Sequence, residues 1–144
     1  MSFYNFFVFL LIIDNFNKIY CANVGDSKCY YINNENSFQL SEDHNCKNEK
    51  EVELVRKNGG YVFQGRVFGA LMLTRVFGDY DFKEFGVTAN PYITEIDKNE
   101  KNIKFIVLAS DGLWDVVDDK LLYKMSLENG IAKELCEKLV EYSL

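Results

Sequence analysis

Apolar runs separated by clusters of Asn, Asp, Gly and Ser fill the first forty positions of the chain. Residues 6–13 form an unbroken apolar run closed by Asp14, and Lys18–Val24 follows the tetrapeptide Asp14-Asn15-Phe16-Asn17, which has the side-chain chemistry of a tight turn. The pattern predicts a hairpin whose first strand lies in a core. Gly25-Asp26-Ser27 ends the second strand, Lys28–Ile32 is predicted to run back, and Asn33-Asn34-Glu35-Asn36 leads into a short strand over residues 37–40. The opening third reads as a meander.

From Asn48 the period changes. Asn48 and Glu51 have the spacing of a capping box, Val52 and Val55 share a helical face, and Gly59-Gly60 ends the helix. Residues 61–68 and 70–77 return to strand-like sequence, and 87–96, with Pro91, reads as irregular and extended. Residues 103–109 predict a strand buried on both faces, with Asp111-Gly112 turning the chain into a short helical segment at 112–117. A second helical segment is expected at 121–125. The stripe Ile131, Leu135, Leu139 and Tyr142 predicts a final amphipathic helix.

At 144 residues with 48% hydrophobic content, the chain reads as one globular domain, or part of one, spanning 1–144. The net charge of −6 disfavours an electrostatic grip on nucleic acid or on an anionic membrane surface. A phosphorylated substrate would also be repelled unless metal ions reversed the local sign. The four cysteines show no paired spacing and there is a single histidine, so no zinc site is indicated. Cys21 and Cys29, placed evenly about Gly25, could face each other across a hairpin as reduced core thiols of a cytoplasmic protein. The run at 6–13 is too short to span a bilayer and no basic residue precedes it; a cryptic secretory signal stays open as the lesser alternative to a core strand.

Candidate chemistry narrows quickly. Gly65, Gly69 and Gly78 lack the Gly-Lys-Ser/Thr of a phosphate loop, and the lone His44 has no nucleophile elbow to serve. His44 reads as a structural hydrogen-bonding residue. Asp26 and Asp111 each follow a hydrophobic strand and each adjoins a glycine, Gly25 and Gly112, so two carboxylates at a sheet rim suit a hard cation such as Mg²⁺ or Mn²⁺. Taken alone, the stretch around Asp111 favours a helix cap over a metal ligand.

Five segments in order carry a more specific signal. Ala22-Asn23-Val24-Gly25-Asp26-Ser27-Lys28, Leu40-Ser41-Glu42-Asp43-His44, Asn58-Gly59-Gly60, Thr74-Arg75-Val76-Phe77-Gly78-Asp79 and Leu108-Ala109-Ser110-Asp111-Gly112-Leu113-Trp114-Asp115 together resemble the metal-dependent protein phosphatases of type 2C, over residues 18–142. The resemblance implies an α+β fold, a layered α-β-β-α sandwich of two antiparallel sheets flanked by helices. It implies hydrolysis of phosphoserine and phosphothreonine in protein substrates by a water held on a two-metal Mg²⁺/Mn²⁺ centre. By the same resemblance Asp111 is the main metal ligand, Asp26 joins it at a weaker third ion, and Asp115 lies behind the ligands or at that weaker ion. Arg75 and Asp79 are expected to form a structural ion pair, with Gly25 and Gly112 as structural parts of their motifs. A monomer is expected.

Departures from the family pattern set a second expectation. The N-terminal Asp-Gly-His-Gly-Gly metal loop with its bridging aspartate, the phosphate-contacting arginine and the proposed general-acid histidine have no counterpart here, nor does the C-terminal Asp-Asn pair. His44 aligns with a different motif. Thr74 for Ser and Lys28 for Arg are mild changes. The domain is therefore expected to be incomplete at both ends and this chain alone inactive, with a catalytically dead phosphoprotein-binding or regulatory module as the alternative.

Overall fold

The computed structural model describes residues 5, 6 and 8–144. Its strands are β1 (Asn5–Phe6), β2 (Val8–Ile13), β3 (Lys18–Val24), β4 (Lys28–Ile32), β5 (Ser37–Gln39), β6 (Val62–Phe63), β7 (Arg66–Val67), β8 (Phe77–Gly78), β9 (Tyr92–Asp97) and β10 (Phe105–Ala109). The helices are α1 (Glu49–Lys57), α2 (Lys98–Lys101), α3 (Asp111–Trp114), α4 (Asp119–Glu128) and α5 (Ala132–Ser143), with a 3₁₀ turn over Tyr80–Phe85. Antiparallel sheets with accompanying helices make this the α+β class expected from the resemblance.

The strand order is β10-β4-β5 in one sheet and β2-β3-β9 in another. The predicted meander is therefore corrected: β3 and β4 are not a hairpin, and the turn at 25–27 carries the chain from one sheet to the next. Turn chemistry reports that the chain reverses but is silent about which neighbour each strand then finds. Cys21 and Cys29 do meet as hydrogen-bonded free thiols, across sheets rather than across a hairpin. That contact and burial push the Cys29 thiol up. The Asp14 turn forms as its residues dictate, with Oδ1 accepting from the amides of Phe16 and Lys18 at 2.8 Å each.

Two compact units divide the chain: residues 1–10, 22–27 and 42–93 form one, and 11–21, 28–41 and 94–144 the other. In the second unit, Ile32, Val117, Leu122, Met125, Leu135 and Leu139 build a core in which α4 and α5 meet the sheet of β4 and β10. Of the predicted stripe, Leu135 and Leu139 are buried and Ile131 and Tyr142 are exposed, so α5 uses only the middle of its apolar face. Asp118 caps α4 through its side chain, which accepts from Leu121 N, and the segment read as 121–125 extends to a ten-residue helix.

In the first unit, Val55, Val67, Leu73, Val76 and Val87 pack under α1. Asn48 caps this helix, its Oδ1 accepting from Lys50 N at 3.1 Å. The predicted capping box is only half made: Glu51 turns inward and is buried, while Asn48 N donates to Asn45 O. Glu51 and Val55, four residues apart, share the covered face.

Three further expectations are corrected. Residues 61–77 hold only the two-residue strands β6 and β7 and the first residue of β8: the positive φ of Gln64 and Gly65 turns β6 directly into β7, and that of Phe68 and Gly69 follows at the end of β7. Residues 87–96 contain a regular strand, β9, which starts just after Pro91, where a missing N–H costs the ladder nothing. The runs read as core strands are less covered than their composition implies: Val8, Leu10, Ile12 and Ile13 of β2 and Leu108 of β10 are exposed, while the part of the first run at residue 7 lies outside the described residues. An apolar run states that a strand tolerates burial on both faces; the covering surface must come from elsewhere.

Two glycines after α1 give a direct test of packing. A Cβ on Gly60 would lie 1.9 Å from the Phe85 carbonyl oxygen and 2.7 Å from Val55 Cγ1, whereas Gly59, at φ 88°, faces open space. Gly60→Ala is expected to destabilise the chain by about 3 kcal/mol through overpacking against backbone. Gly59→Ala should cost only the roughly 1 kcal/mol of a left-handed alanine. Urea denaturation midpoints of the two variants check the order.

Candidate functional site

Asp111 follows β10 directly. The ladder pairs Ala109 with Lys28, which anchors the strand end, and α3 begins at Asp111 itself. Ser110 occupies the cap position with no side-chain cap bond, so the reading of Asp111 as the cap is corrected: Asp111 is the first helical residue. Its carbonyl accepts from Asp115 N at 2.8 Å, and its carboxylate is exposed at the positive end of the short helix. Trp114 locks the corner, donating from Nε1 to Ala109 O at 2.7 Å with its ring 4.9 Å from that of Tyr30. Asp115 is also exposed. A Cβ on Gly112 would meet only Ser110 Oγ at 3.7 Å, so packing among the described residues does not demand glycine there.

Asp26 sits in the other unit on a turn tied down by neighbouring side chains. Gly25, at φ 111°, holds a conformation that strongly favours glycine. Its N–H donates to His44 Nδ1 at 3.2 Å and its carbonyl accepts from His44 N at 3.2 Å. Asn23 Nδ2 donates to Gly25 O at 3.2 Å and to Glu42 O at 2.8 Å, and Asn45 Nδ2 donates to Asp26 Oδ2 at 3.5 Å. His44 has no exposed surface, in agreement with its reading as a structural residue. Burial and the Arg75 charge lower its pKa to about 4, against the opposing pull of Glu51, Glu42 and Asp43.

The expected Arg75–Asp79 pair is not formed. Arg75 instead grips Glu51 bidentately, Nη2 to Oε1 at 2.6 Å and Nε to Oε2 at 2.9 Å, while Nη1 donates to Asn90 O at 2.9 Å. Thr74 Oγ1 donates to Glu51 Oε2 at 2.9 Å. Residues 75–79 are not helical, so the spacing of four does not by itself bring the two side chains together. Burial alone would raise the Glu51 pKa; the Arg75 and Thr74 hydrogen bonds and the guanidinium charge overcome it and hold the carboxyl below its usual range. Asp79, 7% exposed and left-handed at φ 47°, keeps both carboxylate oxygens without a hydrogen-bond partner among the described residues. Burial raises its pKa, offset in part by Lys83. Glu51 is the residue the sequence reading missed. Its place on the Val55 face of α1 was the available signal, since a carboxylate on a covered face requires a partner.

A single carboxylate with exposed oxygens suits a hard cation, but three or more donors are needed to hold one without help. Among the described residues no group of three His, Cys, Asp or Glu side chains is placed to hold a metal ion. These residues do not by themselves fit a complete metal centre.

Comparison with known proteins agrees with this assembly of motifs. The protein phosphatase 2C family model matches residues 8–144, and the chain belongs to that family. It is 37% identical over 127 residues to protein phosphatase 2C homolog 1 of Saccharomyces cerevisiae, covering 88% of this chain and 44% of that protein. The solved structure of a Caenorhabditis elegans sex determining protein superposes with a TM-score of 0.78 at 27% identity, covering 94% of this chain and 36% of that one. A serine-threonine phosphatase 2C from Toxoplasma gondii shares the fold, with a TM-score of 0.66 at 21% identity over 87% of this chain and 49% of that one. The chain thus spans less than half the length of these relatives. No helix among the described residues is long and apolar enough to cross a membrane.

Two predictions follow from the buried groups. Glu51→Gln leaves the Arg75 guanidinium without its counter-charge and is expected to cost about 3 kcal/mol in urea unfolding. The second concerns His44, whose folded pKa of about 4 lies below the ordinary 6.5. Above 6.5 the ring is neutral in both states and adds no difference; between 6.5 and 4 the unfolded chain binds a proton that the folded one refuses. Stability should fall across that window by up to about 3 kcal/mol, a loss that His44→Asn lacks when unfolding is compared at pH 7 and pH 4.5.

Proposed function

We propose that this chain is part of the catalytic domain of a protein serine/threonine phosphatase that hydrolyses phosphoserine and phosphothreonine in protein substrates with Mg²⁺ or Mn²⁺. The observation that carries the reading is Asp111, exposed at the junction of β10 and α3 within the family's Ser-Asp-Gly-Leu-Trp-Asp stretch. Bound ions of this kind supply a water of lowered pKa and polarise the phosphoryl group. The role of this chain is to hold donors: Asp111 as a main ligand, Asp26 toward a weaker ion, and Asp115 behind Asp111 or at the weaker ion. β10 and the Trp114 bond to Ala109 fix the backbone on both sides of Asp111, so its main chain needs no further ordering when an ion arrives. A monomer in the cytoplasm completes the reading.

The test is Mn²⁺-dependent phosphate release from a phosphothreonine peptide. A longer polypeptide that adds an Asp-Gly-His-Gly-Gly segment ahead of this chain is expected to turn over, with Asp111→Ala lowering kcat by at least about 100-fold. The 144-residue chain alone is expected to release negligible phosphate. Turnover by the chain alone, lost on Asp111→Ala, would overturn the expectation of inactivity. Absence of turnover in the longer polypeptide would favour a phosphoprotein-binding module.

A further inference from the structure

We infer that His44 is a positioning residue: its Nδ1 holds the Gly25-Asp26 turn in the conformation that presents the Asp26 carboxylate. The inference rests on the proposed reading of Asp26 as a ligand of a weaker metal ion.

Gly25 N–H points at His44 Nδ1 from 3.2 Å, and Asn23 Nδ2 lies 3.5 Å from the same atom while donating to two carbonyls. Both neighbours are donors, and a backbone N–H cannot reverse its polarity. Nδ1 therefore carries a lone pair, and the ring proton is on Nε2. Nε2 is buried and has no hydrogen-bond partner among the described residues. The whole polar capacity of the ring that finds a partner is spent on the turn.

A side chain retained only to fill volume would not need an acceptor at this position, and one retained as a donor would have Nε2 paired. The backbone of His44 repeats the grip, with its N–H donating to Gly25 O at 3.2 Å. Asn45, the next residue, donates to Asp26 Oδ2 at 3.5 Å. Residues 44 and 45 thus hold Gly25 and Asp26 in turn. His44 has no exposed surface and cannot touch a substrate or an ion, so any effect it has passes through the turn.

The experiment uses the ¹⁵N-labelled chain and Mn²⁺ as the probe. A trans-hydrogen-bond nitrogen–nitrogen coupling between the Gly25 amide and His44 Nδ1 is expected in the wild type, and it requires no variant to fold. His44→Leu removes the acceptor, and Mn²⁺ broadening of the Asp26 signals should then need about tenfold more Mn²⁺ or higher, with Asp111 unaffected. His44→Asn can place Oδ1 near the position of Nδ1 and should restore both the Asp26 response and the slow exchange of the Gly25 amide. Absence of the coupling, or an Asp26 response that is present in the wild type and unchanged in His44→Leu, overturns the inference. If wild-type Asp26 shows no Mn²⁺ response while the coupling is present and His44→Asn protects the Gly25 amide better than His44→Leu, the metal reading fails and the positioning role stands.

Discussion

The Glu51 carboxylate is the polar centre of the first unit. It enters from α1, on the face that also carries Val55, and it gathers Thr74 and Arg75 from a segment more than twenty residues later in the chain. Arg75 then reaches the carbonyl of Asn90. Three stretches with little regular structure between them are joined through one buried ion pair. Such a pair is a weak source of net stability, because both charges lose water. It is a strong constraint on geometry, since a bidentate fork admits few arrangements and an unpaired buried charge is costly. The irregular path of residues 61–90 depends on it more than on strand ladders.

In the second unit the organising device is apolar. β10 is placed by its ladder with β4, and that sheet is covered by α4 and α5 through Ile32, Leu122, Leu135 and Leu139. The Trp114 indole then ties α3 back to the end of β10. Asp111 inherits its position from these contacts. The cap position of α3 belongs to Ser110, which makes no side-chain cap bond, so capping makes no demand on the Asp111 oxygens. A side chain seated by its backbone rather than by its own hydrogen bonds is free to act as a ligand.

Orphaned polar atoms mark where the two kinds of organisation differ. His44 Nε2 and both Asp79 oxygens are buried without partners among the described residues, all in the polar unit. For His44 the unpaired nitrogen follows from the demand on its twin, because a neutral imidazole has one donor and one acceptor and the turn claims the acceptor. Asp79 has a left-handed backbone at φ 47° and follows Gly78, itself at φ 87°. Burial raises the Asp79 pKa, with the Lys83 charge acting against that rise and Asp81 adding to it.

Local rules acting within a few residues were readable without coordinates. The bounds of β3 and β4, the Asn48 cap, the Asp14 turn and the strand leading to Asp111 all come from periodicity and turn chemistry, whose physics is confined to adjacent dihedrals and neighbouring amides. The five ordered motifs likewise identify the phosphatase 2C family, because side-chain identity at fixed spacing survives without knowledge of contacts. Tertiary structure alone decided which partner each group takes: β3 and β4 part into different sheets, and Glu51 leaves its expected cap for Arg75. These choices are competitions between distant surfaces and charges, settled by which pairing buries apolar area while leaving the fewest polar groups unpaired. A linear pattern names the competitors but does not contain the result.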